Sequence, residues 1–115
     1  MELKKIVDKL GLEVAAGAEH LGRAAQSSYV SDLLSDVMAN AGEGTLWITI
    51  QTHANIVAVC ALHDLAAVVI ANGKRPNEET LARAEEEGVV LLLSPQSAFD
   101  VAGRLYELGL RGIER

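Results

Sequence analysis

The fold is decided by residues 46–71, which read LWITIQTHANIVAVCALHDLAAVVIA. The segment Leu46–Ile50 is rich in β-branched and aromatic side chains, which predicts a strand, and Leu65–Ala71 predicts a second one. Between them, Ala54–Leu62 is apolar almost all round, which predicts a helix buried on most sides. Two strands joined by a helix of this length are expected to run parallel, because an antiparallel pair needs only a tight turn.

The same alternation continues toward the C-terminus. Asn77 follows Pro76 and is expected to cap an acidic helix that ends at Gly88. Val89–Leu93 predicts a third strand, and Ser97–Leu108 predicts an amphipathic helix. An order of strand, helix, strand, helix, strand, helix is typical of a parallel sheet with helices on both faces.

The N-terminal part carries weaker patterns. Residues 3–10 repeat apolar side chains at helical spacing, Leu12–Ala16 predicts a short strand, and Arg23–Val30 is interpreted as extended. Ser31 is interpreted as the N-cap of a further helix, with Asp32 in the first turn, where the helix dipole favours a negative charge. The buried stripe of that helix is predicted to comprise Leu33, Leu34, Val37, Met38 and Ala41. Residues 1–115 are therefore expected to form a single α/β domain, three-layered and Rossmann-like, with a mainly parallel sheet of about five strands.

The composition is apolar but poor in aromatic residues. Hydrophobic residues make up 50% of the 115 residues and aromatic residues only 3%, so the core must be largely aliphatic. The mean hydropathy of +0.20 is high for a small domain, and we expect some apolar surface to be shared with a partner. A homodimer is the commonest assembly, and the expected contact uses part of the region Gly22–Met38.

Charge and cysteine content exclude several classes of function. The net charge of −6 repels phosphate backbones and the basic residues form no stripe, so no nucleic-acid binding is expected. The apolar runs are far shorter than the ~20 residues that span a membrane, and the N-terminus lacks the apolar core of a signal peptide. Cys60 is the single cysteine, so no intrachain disulfide can form and a cytoplasmic location is expected.

Polar residues follow each predicted strand of the C-terminal half. Because ligands of parallel sheets collect beyond the carboxyl ends of the strands, this edge is the expected binding site. Helix N-termini there would favour an anion. The alternative is that Thr52 and Ser94 or Ser97 only cap helices, and that His53 is an exposed loop histidine without a role. The expected ligand-binding residues at this edge are Gln51, Thr52, His53, Asn72 and Ser94.

No self-sufficient catalytic or metal site is visible in the sequence. The three histidines, His20, His53 and His63, do not have the spacing of metal ligands, and no cofactor is expected. Cys60 lies in an apolar helical run, where burial should raise the pKa of its thiol and make it unreactive. The nucleophile and phosphate-binding motifs of known enzymes are absent, so we expect no enzyme.

The stretch 21–35, LGRAAQSSYVSDLLS, resembles the signature region of DRTGG domains, and the resemblance extends over nearly the whole chain. In that family Asp-Arg precedes Thr-Gly-Gly by two residues, and a tyrosine and a helix start often follow. Arg23 and the segment Tyr29–Ser35 fit this pattern. Gly22 stands in place of the aspartate, Gln26 in place of the threonine, and Ser27 and Ser28 in place of the glycines.

The resemblance implies an accessory module rather than an enzyme. Similar domains accompany CBS pairs in family II pyrophosphatases, and also occur in some phosphate acetyltransferases and in HPr kinase/phosphorylase. We therefore expect a regulatory or sensor module that binds an adenine nucleotide or another phosphorylated metabolite, with Arg23 adding a positive charge to the site. The alternative is an adaptor that acts through homodimerisation or a protein partner, without a small ligand.

Overall fold

The computed structural model describes residues 1–114, which form a five-stranded sheet and five α-helices. A short 3-10 helix spans Ala18–His20. The elements run in the order α1 Leu3–Leu10, β1 Glu13–Ala16, β2 Ser27–Val30, α2 Leu34–Asn40, β3 Thr45–Thr49, α3 Asn55–Leu62, β4 Ala67–Ile70, α4 Glu78–Glu87, β5 Leu91–Leu93 and α5 Ala98–Leu108.

The sheet is mixed but mainly parallel, as predicted. Its strand order is β1-β5-β4-β3-β2, and the four strands β2 to β5 run parallel to one another. Strand β1 pairs antiparallel with β5, and its register shifts between Val14 and Ala16. Glu13, at the start of β1, therefore lies opposite Leu93, at the carboxyl end of β5. The antiparallel edge places the start of β1 beside the ends of the parallel strands.

Helices cover both faces of the sheet, which confirms the three layers. Helices α2, α3 and α4 pack on one face, and α1 and α5 pack on the other. Successive strand residues alternate between the two cores, as the pleat requires. The first core contains Val37, Trp47, Ile56, Cys60, Val68, Ile70, Ala84 and Leu91, and the second contains Leu3, Ile6, Leu46, Ile48, Val69, Leu92, Val101 and Leu105.

Local signals predicted the later elements well. The Asn77 side chain caps α4 by accepting a hydrogen bond from the Thr80 backbone N–H at 2.9 Å. The Ser97 side chain caps α5 by accepting one from Asp100 at 3.2 Å. Gly88 ends α4 in the left-handed conformation, with φ of 67°. Within residues 1–114, no helix combines the length and apolar character needed to cross a bilayer.

The predicted start of α2 is wrong. The helix begins only at Leu34, and Ser31 caps a turn instead, accepting a hydrogen bond from the Leu33 N–H at 3.2 Å. The Asp32 carboxylate accepts hydrogen bonds from Thr49 Oγ1 at 2.8 Å and from the Ile50 N–H at 2.9 Å. Asp32 is thus held by two donors at the end of β3 and lies before the helix, not in its first turn.

The predicted buried stripe of α2 is only partly correct. Val37 and Ala41 are buried, but Leu33 is 64% exposed and Met38 is 44% exposed. The helix is short and lies at the β2 end of the sheet, where it packs against α3 on one side only. A similar exception occurs in α3, where Leu62 is 75% exposed although the helix was predicted to be buried on most sides.

Candidate functional site

The structure brings five of the six predicted site residues to one edge of the sheet. Gln51, Thr52 and His53 follow β3, Asn72 follows β4, and Ser94 follows β5. Because β4 lies between β3 and β5 in the sheet, the three loops are neighbours at its carboxyl edge.

A crevice lies at this edge over the end of β5, between the turn that follows β4 and the start of β1. Helix α4 follows β4 on one face of the sheet, whereas α5 follows β5 on the other, so the two loops diverge. Such a divergence is where ligands of parallel sheets usually bind. The resulting cavity has a volume of about 280 Å³, and its lining includes Glu13, Gly73, Lys74, Arg75, Ser94 and Pro95.

The loop after β4 is a preformed tight turn. Asn72 and Gly73 have φ angles of 63° and 69°, and the Lys74 N–H donates to the Ala71 carbonyl at 3.2 Å. Two consecutive positive φ angles define a type I′ turn, which favours the Asn-Gly pair. The Gly73 N–H also donates to the Ser94 carbonyl at 3.0 Å, which ties this loop to the one after β5. Asn72 is thus explained by turn geometry, and the turn positions the cations that follow it.

Two cations and one carboxylate line the crevice. Arg75 donates to both oxygens of Glu13, from Nη1 at 3.1 Å and from Nη2 at 2.7 Å. The hydrogen bond from Arg75 lowers the pKa of the Glu13 carboxyl, and the same bond raises the pKa of Arg75. Lys74 is exposed and forms no ion pair with any residue of the described range 1–114. The crevice therefore offers one cation without an ion pair and one held by a neighbouring carboxylate.

Two lining residues of the crevice are buried, the apolar Leu93 and the polar Ser94. Ser94 is 4% exposed, and its Oγ accepts a hydrogen bond from the Gln96 N–H at 3.1 Å. Within residues 1–114, the Ser94 hydroxyl accepts this bond and donates to no protein acceptor, so its capacity as a donor is unused there.

The residues after β3 mainly hold their own loop in place. Gln51 Nε2 donates to the Asp32 carbonyl at 2.9 Å, and the Thr52 carbonyl accepts from Thr80 Oγ1 at 3.1 Å. Thr52 is not the N-cap of α3, because that position is occupied by Ala54. His53 is exposed, and its Nδ1 accepts from the Asn55 N–H at 3.2 Å, which leaves Nε2 facing outward as a donor.

Arg23 does not join the other five residues. Its guanidinium donates to the Ala66 carbonyl at 3.3 Å and to the Gly88 carbonyl at 3.1 Å. Both carbonyls precede the strands β4 and β5, so Arg23 lies at the amino edge of the sheet, opposite the crevice. The structure gives Arg23 a role in tying the strands together, and keeps its charge away from the predicted ligand edge.

Two residues of the crevice were missed by the sequence interpretation. Neither Arg75 nor Glu13 was included among the predicted site residues. The position of Glu13 depends on the antiparallel pairing of β1 with β5, which no local pattern reveals. Arg75 could have been found, because two adjacent cations follow directly after a strand and an Asn-Gly turn.

Cys60 is confirmed as a buried thiol. It is 1% exposed, and burial raises the pKa of the thiol to about 12. Its Sγ donates to the Leu65 carbonyl at 3.7 Å, inside the core between α3 and the sheet. Within the described residues, no cluster of three or more His, Cys, Asp or Glu side chains could hold a metal ion.

Replacement of Cys60 by serine is expected to lower the free energy of unfolding by about 1 kcal/mol, because a hydroxyl is costlier to bury than a thiol. The Leu65 carbonyl offers the hydroxyl an acceptor, which keeps the cost small. Chemical denaturation measures this difference. In the wild-type chain, reaction with a thiol reagent at pH 8 should be far slower than that of a cysteine peptide, and equal rates would contradict the burial.

Among solved structures that share this fold is one with a TM-score of 0.71 and 18% sequence identity. It contains the CBS and DRTGG domains of the regulatory region of a Clostridium perfringens pyrophosphatase, complexed with the activator diadenosine tetraphosphate. The match covers 90% of this chain and 45% of that chain, so this chain spans less than half of its length. Among curated proteins, none matches in sequence.

The sequence pattern of one family matches most of the chain. The match is to the DRTGG domain and extends over residues 5–108, from α1 to the last residue of α5. It includes the segment around Arg23, where the resemblance was first noted, and all five strands. The chain belongs to the DRTGG domain family.

Proposed function

We propose that residues 1–115 act as a single non-catalytic regulatory or sensor module that binds a nucleotide or another phosphorylated small ligand at the carboxyl edge of the sheet. The observation that carries this proposal is the crevice at the ends of β4 and β5, whose lining includes both Lys74 and Ser94. A cation without an ion pair and a buried hydroxyl with a free proton are both donors for phosphate oxygens.

The size of the crevice limits what can enter it. Ligand pockets commonly have volumes of about 300–1000 Å³. A cavity of about 280 Å³ accommodates a phosphoryl group and a small organic body, or one part of a nucleotide. The remainder of a larger ligand would lie along the edge toward His53, whose outward Nε2 can donate a hydrogen bond. With a net charge of −6, capture of an anion depends on these local donors rather than on long-range attraction.

The choice of adenine nucleotides as first ligands has a structural precedent. The regulatory region that shares this fold was solved with diadenosine tetraphosphate, the activator of that pyrophosphatase. A catalytic role is not proposed, because the single thiol is buried and its pKa is about 12. A cytoplasmic location is proposed from the presence of one unpaired cysteine in the chain.

Replacement of Lys74 by glutamine is expected to weaken nucleotide binding by about tenfold, the usual effect of losing one charge-assisted hydrogen bond. A thermal-shift screen with AMP, ADP, ATP and diadenosine tetraphosphate would find the ligand, and calorimetry would measure its affinity. The matched control is Arg83→Gln, which removes the same charge from the exposed surface of α4. Equal affinities of the Lys74→Gln variant and the wild type, or a screen without any ligand, would refute the proposal.

Dimerisation is the second candidate function. Three apolar side chains between residues 30 and 38 are exposed: Val30 by 50%, Leu33 by 64% and Met38 by 44%. They lie on β2 and around α2, at the edge of the sheet, within the region expected to form the contact. A second copy related by a two-fold axis would place this apolar region against itself and remove it from water.

We expect the wild-type chain to sediment as a dimer at ~100 μM, a concentration that populates a micromolar interface. Leu33→Glu should weaken the dimer by about tenfold or more, because it places two like charges in an apolar contact. Leu62→Glu is the matched control, since Leu62 is 75% exposed but lies on α3, outside this region. A monomeric wild-type chain would exclude the adaptor hypothesis in this form.

A further inference from the structure

The ion pair between Arg75 and Glu13 has the geometry of a bound oxyanion. The two donor–acceptor distances are 3.1 and 2.7 Å, from two nitrogens of one guanidinium to the two oxygens of one carboxylate. The planar fork of arginine accepts a phosphate in the same bidentate arrangement. Both partners line the crevice described above.

We propose that Glu13 occupies the place of the ligand's phosphate in the unliganded chain, and that a phosphomonoester binds by displacing the Glu13 carboxylate from Arg75. The proposal rests on the function proposed above for the carboxyl edge, and adds the group that is recognised and the contact that opposes its binding. It also makes the antiparallel strand β1, which carries Glu13, the element that responds to the ligand.

The exchange is physically plausible because the ion pair is exposed. The side chains of Arg75 and Glu13 are 64% and 55% exposed, and exposed ion pairs contribute little to stability. A phosphomonoester near neutral pH carries more negative charge than a carboxylate and presents three oxygens. One of them can face Arg75 while another faces Lys74, the adjacent residue without an ion pair.

The same contacts select a terminal phosphate over other groups. The crevice pairs two cations with one carboxylate, so an anion with a charge near −2 can replace Glu13 and also engage Lys74. A neutral ligand would have to enter while the Arg75–Glu13 pair stays intact. The volume of about 280 Å³ favours a phosphate attached to a small body over complete burial of a larger nucleotide.

A double-mutant cycle distinguishes an ion pair that a phosphate displaces from one that has only a structural role. The probes are inorganic phosphate and AMP, with adenosine as the ligand that lacks a phosphate, all at constant ionic strength. Binding is measured by nuclear magnetic resonance at the backbone amides of Gly73, Lys74 and Arg75. The variants are Glu13→Gln, Arg75→Gln and the double variant, and Glu86→Gln is the control for the loss of one negative charge on an exposed helix surface.

We expect Glu13→Gln to tighten binding of phosphate and AMP by about threefold or more, and Arg75→Gln to weaken it by about tenfold. In the Arg75→Gln background, Glu13→Gln should then have no effect beyond that of Glu86→Gln, because the competition requires the guanidinium. Adenosine should bind equally weakly to the wild type and to Glu13→Gln.

Each contrary result has a distinct meaning. If phosphate and AMP bind but Glu13→Gln leaves their affinities unchanged, the displacement is refuted and the function proposed for the edge remains. If Glu13→Gln increases the affinity equally in the wild type and in the Arg75→Gln background, the increase comes from the change in net charge alone. That result would also refute the displacement. If neither probe causes saturable shifts at these amides, even in Glu13→Gln, and no nucleotide in the screen binds, both proposals fail.

Discussion

Replacement of Gly17 by alanine is expected to lower the free energy of unfolding by about 3 kcal/mol or more, from overpacking and left-handed backbone strain together. Gly17 follows β1 with φ of 78°, a conformation that side chains disfavour. A Cβ atom there would lie 2.7 Å from the Val89 carbonyl oxygen and 2.8 Å from Val90 Cα. Both neighbours are backbone atoms next to β5, so neither can rotate away.

A further contact depends on the same position. The Gly17 N–H donates to Glu85 Oε1 at 2.6 Å, which links the end of β1 to α4, and a displaced backbone would lose this bond as well. Gly11→Ala is the matched control, because Gly11 has φ of 65° but no atom within 4 Å of the added Cβ. Its expected cost is about 1 kcal/mol, from backbone conformation alone. Urea denaturation of both variants measures the difference in the free energy of unfolding. Equal losses in the two variants would show that the backbone relaxes enough to relieve the contacts of the added Cβ with Val89 and Val90.

The two glycines show what the sequence could reveal about the fold. Each directly follows a predicted element, the helix over residues 3–10 or the strand Leu12–Ala16, and the structure has both elements ending at those points. The sequence could not distinguish the tightly packed Gly17 from the free Gly11, because the contact of Gly17 is with Val89 and Val90, more than seventy residues later in the chain. Local conformation was predictable, whereas long-range packing was not.

The same contrast between local conformation and long-range packing applies to the helices and strands. Strands β3 to β5 and the N-cap of α4 at Asn77 were predicted because apolar runs and capping residues act over a few positions. The start of α2 was mispredicted because Ser31, the predicted cap, accepts from Leu33 in a turn before the helix, while Asp32 is held at the end of β3 by Thr49 and Ile50. A capping residue is recognisable from its neighbours in sequence only when no distant contact fixes the chain beside it.

The candidate site follows this pattern too. The carboxyl edge was predictable, since any run of parallel strands ends there, and five of the six predicted residues lie on it. The Arg75–Glu13 pair was not, because its members are 62 residues apart and meet only through the position of β1 at the sheet edge. Gln51 and Asn72 were expected to contact ligand, but the structure shows that they also support their own loops.

Arg23, the sixth predicted site residue, is expected to contribute to the stability of the fold and not to ligand binding. Arg23→Ala is expected to lower the free energy of unfolding by about 2 kcal/mol, since hydrogen bonds from a charged donor to two carbonyls are lost. The carbonyls of Ala66 and Gly88 would then lack this donor at the points where β4 and β5 begin. Chemical denaturation measures the loss. The affinity for phosphate or AMP should not change, because Arg23 lies at the amino edge and the crevice at the carboxyl edge.

Arg23→Lys is the informative companion variant. Lysine keeps the positive charge but cannot span two carbonyls with one planar fork, so it should recover only part of the lost stability. If the charge of Arg23 served a ligand, lysine would restore affinity, and Arg23→Ala would reduce binding under conditions where the chain remains folded. A drop in phosphate affinity of Arg23→Ala, measured well below its unfolding temperature, would therefore contradict the placement of the binding site. Unchanged affinity with lowered stability would show that the arginine of this family's signature serves, in this chain, to hold the amino edge of the sheet, opposite the proposed binding site.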